Sequence, residues 1–126
     1  MRATPPEHDH RRKLGRRGEA LAADFLTGFR GMTILDRNWR CHLGELDLVA
    51  KDGSTVVFCE VKTRSDMGFG GPVEAVSVTK RLRLRRLAGA WLAEHDIGAD
   101  LVRVDVVAIL WPHGGRAQLF HLVGVC

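Results

Sequence analysis

Residues 44 to 64 read GELDLVAKDGSTVVFCEVKTR, and this stretch decides the fold. Apolar and polar residues alternate over 45–51, and 55–63 is rich in β-branched residues, so both stretches are typical of strands. Asp52-Gly53 between them is a strong signal for a two-residue turn. The stretch therefore predicts a β-hairpin. The alternation places on one face the apolar side chains of Leu46, Leu48 and Ala50.

The register of this hairpin decides which charged side chains meet. A turn at Asp52-Gly53 sets Glu45 opposite Glu60, with Asp47 diagonal to Glu60 on the same face. Lys62 shares that face, because side chains along a strand alternate with a period of two. We therefore expect three carboxylates and one ammonium to converge on one side of the hairpin.

Such a convergence indicates a metal-dependent site. Facing carboxylates repel one another, and a divalent cation relieves the repulsion. Oxygen ligands suit Mg²⁺ or Mn²⁺, which also bind phosphate, so we predict Asp47, Glu60 and Glu45 as metal ligands. Lys62 would position a water, help to activate it, or neutralise developing negative charge. The competing interpretation is a solvated charged face on which Lys62 simply pairs with Glu60.

Two stretches with apolar residues at helical spacing flank the hairpin. They predict helices over 12–28 and 78–95, the second with Ser77 or Thr79 as its N-cap. Glu19 lies at the edge of the apolar stripe of the first helix. Its carboxylate then faces partly toward the sheet and is a candidate fourth acidic group near the metal.

Further strands complete the pattern, and they are predicted over 32–40, 101–110 and 118–125. The resulting order, α-β-β-β-α-β-β, predicts an α/β fold with a mixed sheet flanked by helices. Residues 1–11 are polar and contain two prolines, so they are predicted to form a flexible basic tail. Residues 12–126 then form a single domain, in line with a chain of 126 residues and 14.0 kDa.

The basic residues are concentrated at two places, although the formal net charge is only +4. One group lies near the N-terminus and the other at the start of the second helix. This distribution favours a polyanion partner, and the competing interpretation is two solvated helix faces. The residues we predict to contact nucleic acid are Arg12, Lys13, Arg16, Arg17, Arg64, Lys80, Arg81 and Arg83.

Cysteine and histidine usage excludes other classes of protein. The three cysteines show neither CxxC nor zinc-site spacing, so we expect no disulfide framework. We therefore expect a reducing, cytoplasmic setting. The histidines form no HxH or HExxH group. No apolar stretch approaches the roughly 20 residues of a membrane span.

Several short motifs, taken together, resemble a known family. They are Gly18-Glu19, Arg37-Asn38-Trp39-Arg40, Gly44-Glu45-Leu46-Asp47-Leu48, Phe58-Cys59-Glu60-Val61-Lys62-Thr63-Arg64, Phe69-Gly70 and Lys80. Over residues 14–109 the sequence resembles the YraN family of small bacterial proteins. That family is similar in its motifs to the PD-(D/E)xK nuclease superfamily, with archaeal Holliday-junction resolvases among its closer relatives.

The resemblance implies a restriction-endonuclease-like core that hydrolyses phosphodiester bonds with Mg²⁺. It implies Asp47 as the motif aspartate, Glu60 and Lys62 as the (D/E)xK pair, and Glu19 as the helix-borne acid. Leu46 stands where the motif has proline, a position that shapes the backbone and carries no chemistry. By analogy with resolvases, which cut two strands, we expect branched or junction DNA as the substrate and a homodimer. The alternatives are a non-catalytic nucleic-acid-binding module that keeps the fold, and a structural or interaction protein.

Overall fold

The computed structural model describes residues 6–66 and 77–125, with side chains described from His10 onward. The described strands form one sheet in the order β1-β2-β3-β4-β5. They are β1 (Thr33–Cys41), β2 (Gly44–Asp52), β3 (Thr55–Arg64), β4 (Leu101–Leu110) and β5 (Gln118–Leu122). Among these strands, β3 and β4 pair in parallel and the other neighbours are antiparallel. The predicted α/β fold with a mixed sheet is confirmed.

Two helices cover the two faces of the sheet. The first, α1 (Pro6–Asp24), continues into a π-helical turn over Phe25–Phe29, and the second, α2 (Val78–Glu94), joins the parallel strands β3 and β4. The core on the α1 side includes Ala22, Ala23, Leu26, Leu48, Val57 and Cys59. The core on the α2 side includes Val49, Phe58, Leu84, Leu87, Trp91 and Val104. Alternate residues of β3 therefore belong to opposite cores, as a strand buried on both faces requires.

The helix boundaries differ from the predicted ones mainly at the N-terminus. The helix α1 begins at Pro6, so the predicted tail over 1–11 is helical from that residue on. Ser77 caps α2 as predicted, its side chain accepting a hydrogen bond of 3.1 Å from the Lys80 amide. Among the described helices, none is long and apolar enough to cross a membrane.

The predicted hairpin register is wrong by two residues. Asp52 pairs with Thr55 and Lys51 with Val56, so the turn is Gly53-Ser54. Gly53 has a φ of 61°, and a glycine with positive φ at the first turn position is the pattern of a type II′ turn. Extending the register brings Asp47 level with Glu60, and Glu45 level with Lys62. Because the shift is even, it exchanges no side chain between faces.

The predicted alternation along β2 is also wrong at one position. Leu48 and Ala50 belong to the α1-side core, whereas Leu46 belongs to the α2-side core together with Val49. The pairing with β1 keeps one register here, since Arg37 pairs with Leu48 and Trp39 with Leu46, and the register shift between Ile34 and Asp36 lies further along β1. The change of face between Leu46 and Leu48 leaves Asp47 at the switch, between the two sides of the sheet.

The far end of the sheet is held by a buried carboxylate. Asp105 on β4 is fully buried and accepts hydrogen bonds from the Arg103 side chain (2.9 and 3.1 Å) and the Gly124 amide (2.9 Å). The His121 ring contacts it at 2.8 Å. These contacts give Asp105 a structural role. Residues 65–72 contain three glycines and a proline and are predicted to form a loop, which from residue 67 on lies outside the described residues, as does Phe69-Gly70.

Candidate functional site

Asp47 occupies a gap between two strands of the sheet. The paired part of strands β2 and β3 runs from Leu48 opposite Cys59 to Asp52 opposite Thr55. Beyond this ladder, Asp47 Oδ2 accepts a hydrogen bond of 2.8 Å from the Val61 amide. The carboxylate thus takes the place of a backbone acceptor where the ladder ends. We call this gap, between Asp47 on β2 and residues 60–62 on β3, the strand opening.

The surroundings of Asp47 disfavour its negative charge. Burial raises the pKa of Asp47 to about 7, and the charges of Glu19, Glu60 and Glu45 add to the rise. The hydrogen bond from Val61 opposes this rise but does not cancel it. A partly buried carboxyl with three other carboxylates nearby binds a proton or a metal cation more readily than an exposed one does.

Glu60 lies on the α2 side of the strand opening, next to two basic side chains. Its Oε1 is 3.2 Å from Arg83 Nη2, and its Oε2 is 3.8 Å from Lys80 Nζ. Oε2 is buried and has no hydrogen-bond partner. Buried carboxylate oxygens rarely go without one, and the charge of this oxygen is offset by the Lys80 ammonium at 3.8 Å.

Lys62 is close enough to both acids to feel their charges. Burial lowers the pKa of Lys62, and the positive charges of Lys80 and Arg64 lower it further. The charges of Glu60 and Asp47 act in the opposite direction. Asp47, Glu60 and Lys62 therefore lie within electrostatic range of one another.

Glu19 and Glu45 form a separate group on the other side of Asp47. The Asn38 Nδ2 atom donates hydrogen bonds of 2.9 Å to Glu19 Oε2 and 3.2 Å to Glu45 Oε1. Arg40 Nε lies 3.6 Å from Glu45 Oε2. Asn38 is not among the predicted site residues, and its only signal in the sequence is its place in the Arg37–Arg40 motif.

The predicted metal ligands do not form a complete set of three. Among the side chains described, those of residues 10–66 and 77–125, no three His, Cys, Asp or Glu side chains are arranged to hold a metal ion. Glu45 contacts Asn38 and Arg40, whereas Asp47 and Glu60 border the strand opening. A cation held here would take two carboxylates from the protein, and its other ligands would be water or a phosphate, as Mg²⁺ commonly has.

The predicted basic residues lie on both sides of these acids. A cleft of about 450 Å³ between α1 and β1 is lined by Arg12, Gly15, Arg16, Glu19, Asn38, Arg40 and Glu45. On the α2 side, Lys80 and Arg83 border Glu60. The guanidinium of Arg17 stacks on Trp111, 4.2 Å from the ring centroid. Among the other residues predicted to contact nucleic acid, Lys13 is exposed, and Arg64 and Arg81 are partly buried.

Comparison with known proteins places the chain in a family. Residues 18–109 match the family model described as uncharacterised protein family UPF0102. A UPF0102 protein of Beutenbergia cavernae is 55% identical over 112 residues, which cover 89% of this chain and 94% of the relative. A UPF0102 protein of Nocardia farcinica is 54% identical, with 89% of this chain and 87% of the relative covered. The matched region contains Glu19, Asp47, Glu60 and Lys62. The chain belongs to the uncharacterised protein family UPF0102.

Proposed function

We propose that this protein is a metal-dependent endonuclease that hydrolyses phosphodiester bonds in DNA, with branched or junction DNA as its candidate substrate. One observation carries the proposal: Asp47, Glu60 and Lys62 lie together at the strand opening. Two acids and an amine in one place are the groups that metal-assisted phosphodiester hydrolysis needs.

The residues at the strand opening fit a hard divalent cation. Asp47 and Glu60 supply carboxylate oxygens, which Mg²⁺ and Mn²⁺ prefer. Glu60 Oε2 is buried and accepts no hydrogen bond, so a cation would bind it in place of the Lys80 ammonium that lies 3.8 Å away. When bound, the cation would polarise the phosphoryl group and lower the pKa of a coordinated water.

The protein's own side chains would position the water and the phosphate. Lys62 lies among Asp47, Glu60 and Lys80, and its pKa is lowered by burial. Its ammonium would donate a hydrogen bond to the attacking water or to a phosphate oxygen, and would offset the charge that develops there. Glu19 would support the site from α1, through the contact of its carboxylate with Asn38.

The basic helices would hold the nucleic-acid backbone on either side of the acids. Arg12 and Arg16 on α1 and Lys80 and Arg83 on α2 border the two sides of the site. Contacts to phosphates position a duplex without reading its sequence. Cutting a junction requires two active sites, so the proposal includes a homodimer.

A second candidate function is a nucleic-acid-binding module without catalysis. The observation in its favour is that Lys80 and Arg83 already approach Glu60. If these cations neutralise Glu60 permanently, the strand opening would contact a phosphate through Lys62 and hold no metal.

A cleavage assay separates the two functions. The protein is incubated with linear duplex, single-stranded and four-way-junction DNA, with Mg²⁺, with Mn²⁺ and with a chelator. The variants are Asp47→Ala and Lys62→Ala, and the matched control is Asp52→Ala, since Asp52 lies on the same strand outside the site.

We expect metal-dependent cleavage that both site variants lose and the control keeps. Binding without cleavage at any metal concentration would contradict the nuclease and favour the binding module. Cleavage that survives in Asp47→Ala would show that the activity belongs to another site or to a contaminant.

A further inference from the structure

Asn38 has a backbone conformation that is rare inside a strand. Its φ is 51°, and among the described residues no other non-glycine residue has a positive φ. Its neighbours are regularly paired, Arg37 with Leu48 and Trp39 with Leu46. Left-handed backbone is costly for most L-residues, and asparagine is among the few that tolerate it.

The side-chain amide of Asn38 uses both of its hydrogens on carboxylates. They reach Glu19 Oε2 at 2.9 Å and Glu45 Oε1 at 3.2 Å. Ionised carboxylates only accept hydrogen bonds, so the amide must present its NH₂ group to both. Three elements, α1, β1 and β2, are joined at this one group.

The choice of asparagine is informative because glycine would serve the backbone better. Glycine adopts a positive φ without steric cost. Asparagine accepts some strain and adds an amide between two like charges that would otherwise repel each other. Strained backbone of this kind is concentrated at functional sites, where neighbouring contacts hold it in place.

We propose that Asn38 is a positioning residue that holds Glu19 of α1 and Glu45 of β2 together beside the strand opening. The inference rests on the proposed function, because it assigns Asn38 to support of the same site. Both carboxylates are near enough to act electrostatically on Asp47. Both also line the cleft that contains Arg12, Arg16 and Arg40. Loss of this bridge of hydrogen bonds would leave the Glu19 carboxylate, which projects from α1, without its tie to β1.

The bridge itself is tested by NMR, without any assay of activity. The side-chain NH₂ signals of Asn38 are assigned by their absence in Asn38→Gly. We expect Glu19→Gln to shift one of the two proton signals and Glu45→Gln to shift the other. Signals that respond to neither substitution would overturn the bridge.

The positioning role is tested with two variants that lose the amide but differ in backbone strain. Asn38→Gly relieves the left-handed strain, whereas Asn38→Ala keeps it. We expect the glycine variant to be at least as thermally stable as the wild type, and the alanine variant to be less stable. Both should bind Mn²⁺ about tenfold more weakly and cleave more slowly in proportion, because the negative charges of Glu19 and Glu45 would no longer be held where they act on Asp47.

A matched control is Thr33→Gly, which places glycine at an exposed position of the same strand. It should lower stability and leave Mn²⁺ affinity unchanged. Wild-type affinity in Asn38→Gly would overturn the positioning role. A wild type that binds no Mn²⁺ would overturn it as well, together with the proposed function, whereas the NMR result would still decide whether the bridge exists.

Discussion

At the scale of single residues, the partly buried carboxyl of Asp47 is proposed to serve function at a cost in stability. Its pKa is about 7 in the folded protein, against 3.8 for an unperturbed aspartate side chain. A carboxyl that binds its proton more tightly when folded stabilises the fold while protonated. That contribution is complete below about pH 4 and is lost as the pH rises through 7.

We predict that Asp47→Asn stabilises the protein at alkaline pH in the presence of a chelator. Asparagine keeps an acceptor for the Val61 amide and carries no charge at any pH. The substitution should raise the free energy of unfolding, relative to the wild type, by roughly 2 to 4 kcal/mol more at pH 8 than at pH 4. Urea unfolding at the two pH values measures it, with Asp52→Asn as the control. An equal effect of Asp47→Asn at both pH values would contradict the raised pKa.

Lys62 should matter for the reaction and not for metal binding. Lys62→Met keeps the length of the side chain and removes the ammonium, so we predict a cleavage rate at least about 100-fold lower. Mn²⁺ affinity should be unchanged or tighter, because a positive charge near Asp47 and Glu60 has gone. Titration calorimetry and initial rates measure the two effects, with Lys51→Met as the control. A parallel loss of affinity and rate would indicate that Lys62 only maintains the structure.

The residues of the site differ in how readily the sequence predicts them. Asp47, Glu60 and Lys62 are predictable because two adjacent strands carry them at fixed spacing. Asn38 is not, because its role depends on tertiary structure. Its φ of 51° is not visible in the sequence, and its two carboxylate partners lie on two other elements, α1 and β2. A prediction from strand periodicity treats Asn38 as an ordinary exposed residue.

At the scale of secondary-structure elements, the packing of α1 on β3 depends on Gly18. Gly18 is buried, and a Cβ atom there would overlap the hydroxyl of Thr63 and lie 2.9 Å from its Cβ. Only glycine allows the helix to approach this closely. Gly18 therefore lets the helix, and with it the neighbouring Glu19, lie close to the sheet.

We predict that Gly18→Ala destabilises the protein by roughly 1 to 3 kcal/mol, because overpacking moves α1 away from β3. Gly15→Ala is the matched control on the same helix, since nothing lies within 4 Å of a Cβ there. It should stabilise the protein by up to about 1 kcal/mol through helix propensity. Thermal or urea unfolding measures both. Equal effects of the two substitutions would contradict the close contact.

The elements themselves are largely predictable, but their exact alignment is not. The strand β4 has the bounds expected from its apolar run, and α2 begins at the expected residue after Ser77. The hairpin register is not predictable from Asp52-Gly53 alone, because glycine serves equally at either central position of a tight turn. Tertiary packing decides between them, and it places Gly53 first.

At the scale of the whole molecule, the net charge of +4 conceals a separation of charge. Basic side chains on α1 and α2 flank acids that are gathered at the sheet between the helices. We predict that Arg12→Ala combined with Arg16→Ala weakens DNA binding and lowers the slope of log affinity against log salt by about 2. Fluorescence anisotropy between roughly 50 and 200 mM salt measures the slope.

The control for this prediction is Arg30→Ala, since Arg30 lies over the rings of Phe25 and Phe29 outside the cleft. It should leave the slope unchanged. A slope that is the same in the double variant and the wild type would mean that the α1 arginines do not contact phosphates.

The central claim is that Asp47 and Glu60 form a divalent-metal site, and Mn²⁺ binding followed by electron paramagnetic resonance tests it without knowledge of the substrate. We expect saturable binding to the wild type and to Asp52→Asn, and its loss in both Asp47→Asn and Glu60→Gln. Binding by Asp47→Asn that equals that of the wild type, or no saturable binding by the wild type, would contradict the claim.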